Sequence, residues 1–303
     1  MTRPSRARAP DVTALSLGLI LLSAVCHATW NLFAKRAGGG ALSVWTYSAL
    51  SALIYFPLAL ITLLTTPRAI PLEGILAMMV SGVLHTGYFV LLQRGYREGD
   101  LSLVYPLARG TGPTLSTLAA VLFFGERPSP IAFAGAMLIG LGVFLLAGAR
   151  PRSGAEAHRT SSGVRAAVIY GLVTGVFIAV YTLWDKRGVS SLGIPPLIYD
   201  WGTGFSRTLL LAPLALPRFA EVRREFALHK KEYLGIAILS PLAYILVLTA
   251  LSTTAVSYVA PAREISILIG AFFGARLLAE GDSRRRLFAA ALMVIGISAL
   301  ALG

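Results

Sequence analysis

The sequence predicts an all-α membrane protein, ten transmembrane helices arranged as two inverted five-helix repeats. Three observations predict it. Hydrophobic residues make up 56% of the 303 residues and charged residues only 14%, against about 45–50% and about 25% in soluble domains. Ten segments approach the roughly 20 apolar residues that a membrane span needs. Landmark residues also recur at a near-constant spacing between the two halves of the chain.

The ten segments lie near residues 12–34, 44–64, 74–92, 101–123, 130–148, 164–184, 196–216, 233–251, 254–279 and 286–302. Charge, Pro or Gly clusters separate them, among them Gly38-Gly39-Gly40, the stretch from Arg94 to Asp100, and Gly281-Asp282. Their apolar runs are continuous rather than alternating, so they read as helices and not as barrel strands. The first segment follows Arg3, Arg6 and Arg8, as a signal peptide would. Its apolar run continues to Phe33 without an Ala-x-Ala cleavage site, and nine similar segments follow, so a span is expected there. The polar stretch 149–165 reads as a linker. The expected organisation is a tail (1–11), a first unit (12–148), the linker (149–165) and a second unit (166–303).

The second unit repeats features of the first. Trp30-Asn31-Leu32-Phe33-Ala34-Lys35-Arg36 matches Tyr181-Thr182-Leu183-Trp184-Asp185-Lys186-Arg187 at an offset of 151. Arg109, Glu126 and Gly142 match Arg263, Glu280 and Gly296 at an offset of 154, and Pro106 and Pro261 open the same stretches one residue out of step. Five is an odd number of spans, so a second unit joined to the first enters from the opposite side. Inverted repeats of this kind are a recurrent device of secondary transporters, whose site lies near the midplane between the halves.

With these features the chain resembles the drug/metabolite transporter superfamily, in its EamA-like two-repeat branch. The resemblance is carried by His27-Ala28-Thr29-Trp30-Asn31 with Lys35, by Gly125-Glu126-Arg127-Pro128 before the fifth helix, and by Ala279-Glu280-Gly281 in the matching place, where Ala stands for the usual Gly. It implies ten helices, no ATPase module, and export or exchange of small metabolites. It also implies a bacterial plasma (inner) membrane location.

Net charge is +13. In a soluble protein that excess would suggest nucleic acid. Here the basic residues sit between apolar runs, so membrane lipids are the expected partner and nucleic acid is not. On the ten-span reading, sixteen basic residues fall in loops on the face away from the termini and seven on the terminal face. The positive-inside bias then places the termini outside. The family resemblance places them in the cytoplasm, and the orientation stays open.

Charged groups inside spans are costly and mark cavities or pairs. Arg109 in the fourth segment and Arg263 and Glu264 in the ninth should lie near mid-depth. An Arg109–Glu264 pair would leave the other Arg for an anionic cargo group, since the guanidinium fork can bind two oxygens of a carboxylate or phosphate; a purely structural pair between the halves is the alternative. Pro106, Pro113 and the Gly110-Thr111-Gly112 run should break the fourth helix, and Pro261 the ninth, freeing backbone groups. His27, Asn31 and Lys35 form an i, i+4, i+8 polar stripe beside Trp30. Lys35 and Lys186 lie near helix ends, where they can snorkel. Tyr181 and Asp185 share a face, with Asp185 expected to pair locally with Lys186 or water. Asp200, Trp201 and Arg207 lie on the seventh segment. The expected substrate-binding set is Arg109, Arg263, Glu264, His27, Trp30, Asn31, His85, Tyr105, Tyr181 and Tyr244, with Glu264, His27 or Asp185 for proton coupling.

The expected function is secondary transport of a small metabolite, an amino acid or an organic anion, by alternating access. No enzyme activity, cofactor or metal is expected. His-Glu-x-x-His, Gly-x-Ser-x-Gly and phosphate-loop motifs are absent from the sequence, and one Cys with four scattered His gives no ligand cluster. A non-transporting membrane scaffold or a membrane-embedded enzyme is the alternative. With both repeats in one chain, a monomer is expected rather than an obligate dimer.

Overall fold

A computed structural model describes residues 13–37, 40–67, 69–98, 101–147, 161–266, 269 and 283–302. All the regular structure among them is helical: α1 (Ala14–Arg36), α2 (Ala41–Thr65), α3 (Leu72–Glu98), α4 (Leu101–Phe123), α5 (Pro130–Ala147), α6 (Ser161–Lys186), α7 (Pro196–Ala215), α8 (Phe219–Leu228), α9 (Lys230–Thr253), α10 (Val256–Ala262) and α11 (Ser283–Leu302). A π-turn (Arg187–Ser191) extends α6, and a 3₁₀ turn (Leu216–Arg218) joins α7 to α8.

Local chemistry sets the ends. The Thr13 hydroxyl accepts from the Ser16 N–H and caps α1. Gly125 holds φ +65° between α4 and α5, a left-handed conformation that suits Gly. Gly193, at φ +63°, turns the chain after the π-turn, and Pro196 opens α7 at its first helical position.

Among the described residues, five helical stretches are long and apolar enough to cross a membrane, namely Ala14–Ala34, Ala41–Thr65, Leu72–Leu92, Val168–Ser191 and Lys230–Thr253. They turn large apolar side chains outward, such as Leu53 and Leu64, which are 71% and 76% exposed. Water would not tolerate such a surface over whole helix faces; lipid does.

The helices pack in a reciprocal pattern. α1 lies against α9 and α3 against α6; α2 contacts α9 and α3 contacts α7; α2 meets α7, and α5 meets α11. Glycines set the closest approaches. A Cβ on Gly142 of α5 would sit 2.5 Å from Met293 Cγ and 2.9 Å from the Ala289 carbonyl of α11. A Cβ on Gly296 of α11 would sit 2.6 Å from the Gly135 carbonyl and 2.8 Å from Ile139 of α5.

The breaks expected at the prolines form in the ninth segment but not in the fourth. The fourth helix is not broken: α4 runs unbroken through both prolines and the Gly run. Thr114 and Ser116 hydroxyls bond to the carbonyls of Gly110, Gly112 and Pro113 and supply polar partners around Pro113. The glycines serve packing instead, since a Cβ on Gly110 would meet the Phe144 ring at 2.7 Å and one on Gly112 would meet Ile178 at 2.5 Å. The ninth segment is interrupted: α10 ends at Ala262, just after Pro261, and Arg263 and Glu264 occupy a turn. The stretch before the eighth segment carries a helix of its own, α8, with Val222 buried and Arg223 and Arg224 exposed.

The turn between α9 and α10 is held from three sides. Lys186 Nζ donates to the carbonyls of Leu251 (2.6 Å) and Thr254 (2.9 Å) at the C-terminal end of α9. The Glu126 carboxylate accepts from the N–H groups of Val256 (2.8 Å) and Ser257 (2.9 Å) at the start of α10. Each charge faces the helix end of opposite polarity. The Ser16 and Thr254 hydroxyls are 2.7 Å apart. Lys186 therefore turns inward to backbone carbonyls rather than snorkelling.

Candidate functional site

α1, α2, α3, α4, α6, α7 and α9, with Arg263 beyond α10, enclose a cavity of about 80 Å³. Three arginines line it, Arg109, Arg207 and Arg263, together with a single carboxylate, Asp200. His27, Trp30, Tyr55, Tyr88, Tyr181 and Tyr244 supply most of the aromatic wall.

The arginines differ in their surroundings. Arg109 and Glu264 form the expected pair, with Nε 3.1 Å from Oε2 and both side chains buried. Arg109 also donates from Nη2 to Ser266 Oγ at 3.3 Å. Glu264 stands behind Arg109, lining a smaller void rather than the main cavity. Arg207 donates from Nε to Ser48 at 2.8 Å, with its guanidinium 5.7 Å from the centre of the Phe89 ring. Arg263 places its guanidinium 5.5 Å from the centre of the Tyr244 ring. Among the described residues it has no carboxylate within 4.0 Å.

Behind the cavity wall lies a second polar centre. Asp185 is fully buried. His85 of α3 places Nε2 3.1 Å from its Oδ2, and Tyr199 of α7 donates to its Oδ1 at 3.0 Å. Tyr244 of α9 donates to Oδ2 as well. One carboxylate on α6 thus gathers donors from three other helices. The π-turn beginning at Arg187 lets Gly188 pack directly on the Tyr199 ring, where a Cβ would collide with it. His85 stacks on Tyr181 with ring centres 4.1 Å apart and meets Tyr244 edge-on at 5.3 Å.

Residues 14–148 match the model of the EamA-like transporter family. Over that span, the chain is similar to EamA-like transporters. The match supports a membrane transporter of the drug/metabolite type, in keeping with the resemblance drawn from its sequence. Among curated proteins no relative matches the sequence. A solved structure described as "Crystal structure of protein" is similar, with a TM-score of 0.73 over 95% of this chain and 96% of that chain at 15% identity. The likeness at that identity is one of fold.

In this EamA-like chain, seven of the ten residues expected to bind substrate line the cavity: His27, Trp30, His85, Arg109, Tyr181, Tyr244 and Arg263. Asn31 does not; its amide donates to the His27 carbonyl at 2.7 Å along α1. Glu264 reaches the cavity only through Arg109. The side chains of Tyr105 and Lys35, and all of Ala279-Glu280, lie outside the described residues. His27 accepts at Nδ1 from Trp30 Nε1 at 3.3 Å, so the aromatic neighbour orients the imidazole. The expected local pairing of Asp185 with Lys186 is not what forms, because Lys186 is taken by the α9 carbonyls. Sequence reasoning missed Tyr199 as the partner of Asp185 and Tyr55 on the cavity wall. Tyr199-Asp200 in sequence gave no hint that the two side chains serve different centres.

Proposed function

We propose that this protein is a secondary transporter, an exporter or exchanger, that moves a small carboxylate-bearing metabolite through the cavity by alternating access. An amino acid or a small organic anion fits that description. The observation that carries the reading is the buried cavity with three arginines and one carboxylate on its wall. A volume of about 80 Å³ corresponds to roughly five to eight water-sized units, which suits a small solute. Arg263, lacking a carboxylate neighbour among the described residues, receives the cargo anion. Arg109 and its partner Glu264 set the charge balance beside it. Asp200 receives a cationic group where the cargo has one. The aromatic wall of Trp30, Tyr181 and Tyr244 contacts the remainder, with His27 and His85 completing the surroundings.

The architecture belonging to this reading is ten spans in two inverted units, 12–148 and 166–303, joined by the linker 149–165. Support comes from the reciprocal packing. Exchanging the halves turns the α1–α9 contact into α6–α3 and the α2–α9 contact into α7–α3, and both members of each pair occur. The glycine contacts exchange residue by residue. Gly142 meets 289 and 293, Gly296 meets 135 and 139, and each position is related to its counterpart by the offset of 154. On this arrangement the Lys186 and Glu126 clamps lie on the face that carries the termini. The chain works as a monomer in a bacterial inner membrane.

A thermal-shift screen of small metabolites on purified protein tests the reading, followed by flux in proteoliposomes. Carboxylates that stabilise the wild type and lose that effect in Arg263→Ala are expected. Sealed vesicles that move none of a broad carboxylate panel would refute it.

A further inference from the structure

The geometry points to Asp185 as the site that takes up a coupling proton, and to Tyr244 as the side chain that passes its occupancy to the cargo cavity. This rests on the transport reading and names the group that couples it.

Asp185 is fully buried, yet no Lys or Arg lies within ion-pair distance among the described residues. Neutral phenols and an imidazole surround it instead. The groups facing it are His85 from α3, Tyr199 from α7 and Tyr244 from α9. On its own helix, Tyr181 meets it only through the His85 ring, and Lys186 points away to the α9 carbonyls. The formal charges further off are Asp200 and Arg207 on α7, and Arg263 beyond α10.

An ionised carboxylate only accepts hydrogen bonds, whereas a protonated one presents a donor. Tyr244 and His85 converge on the same oxygen, Oδ2. A proton on Oδ2 makes one of the two an acceptor in place of a donor, which the imidazole meets by changing tautomer and the hydroxyl by rotating. Protonation therefore rearranges the cluster instead of merely neutralising it. His85 and Tyr244 line the cavity while Asp185 does not. A proton entering with cavity water meets the His85 imidazole first, a group suited to relaying it. Tyr244 belongs to both centres, because its hydroxyl holds Asp185 and its ring lies by the Arg263 guanidinium. A cargo anion that draws Arg263 away from the ring, and a proton that turns the hydroxyl, act on one side chain. The other two candidates lack this link. Glu264 is paired with Arg109, and His27 is engaged by Trp30.

Infrared difference spectroscopy on the purified full-length protein in lipid, without cargo, tests the assignment. Acidification of the wild type should produce a protonated-carboxyl band that shifts in heavy water. Asp185→Asn should lose that band, Asp185→Glu should restore one, and Glu264→Gln should keep it. A band that survives in folded Asp185→Asn, or disappears in Glu264→Gln, overturns the assignment. Arg263→Ala should move the band's pH midpoint, and Tyr244→Leu should remove most of that effect in the double variant. Strict additivity would overturn the role of Tyr244. Because no cargo is added, these outcomes stand apart from the flux assays, and a failure of one can be told from a failure of the other.

Discussion

Substituting Gly296 with Ala asks what holds α5 against α11. The new methyl would sit 2.6 Å from the Gly135 carbonyl, where ordinary contact begins at 3.4 Å. The helices must therefore part by about 0.8 Å, or tilt, because the nearest atom is backbone and has no rotamer to change. Overpacking of this kind costs about 1–3 kcal/mol. Replacing a helical Gly by Ala returns about 1 kcal/mol of propensity. The net is a loss of up to about 2 kcal/mol, or up to roughly 8 °C in apparent melting temperature at about 2–4 °C per kcal/mol. Gly142→Ala should cost less, because its first obstacle is the flexible Met293 side chain, with backbone only at 2.9 Å. Gly18→Ala is the control: nothing lies within 4 Å of its Cβ, so propensity acts alone and stability should rise slightly. Thermal unfolding of the purified protein, followed by intrinsic fluorescence, measures all three. A Gly296→Ala variant that gains as much stability as Gly18→Ala would refute the view that backbone proximity fixes this seam.

Glu126→Ala removes the carboxylate that accepts from two backbone N–H groups at the start of α10 and should lower stability by about 1–2 kcal/mol, readable as a fall in melting temperature. Glu73→Gln, by contrast, breaks an ion pair with Arg187 whose side chains are more than half exposed, and should change the melting temperature by about 1 kcal/mol or less. Arg263→Ala should abolish carboxylate-induced stabilisation while leaving the cargo-free melting temperature nearly unchanged, a contrast that thermal-shift titration resolves. Tyr199→Phe should weaken the Asp185 cluster and destabilise the protein by about 1–3 kcal/mol, as expected for a donor lost from a buried charged group.

Much of the fold was legible in the sequence because lipid imposes one demand on every span, a long apolar run with its backbone satisfied internally. The Arg109–Glu264 pairing was legible for a related reason, since charges at that depth have few places to go. What escaped notice depends on geometry that no local pattern encodes. Asp185 stands next to Lys186 in sequence, and adjacency suggested a local pair. The π-turn and the inward course of Lys186 separate them, and the actual donors come from positions 85, 199 and 244. The prolines of α4 looked like breaks, but nearby hydroxyls and close packing keep the helix whole. Helix α8 was passed over because its charged residues made it resemble a loop; its single buried side chain, Val222, anchors a short amphipathic turn of surface helix.

The α5–α11 seam has a further consequence. Its contacts are isologous, in that what one helix offers at a given register the other returns. The gap is set at Gly296 by the Gly135 carbonyl, and at Gly142 by Met293 with the Ala289 carbonyl close behind it. Side chains that interlock through rotamers can slide by repacking, in small steps with intermediate fits. A seam closed on backbone atoms has no such intermediates and is either shut or apart. In the alternating-access reading proposed above, α5 and α11 are thus suited to act as the stationary spindle, leaving the movement to helices whose contacts are made of side chains.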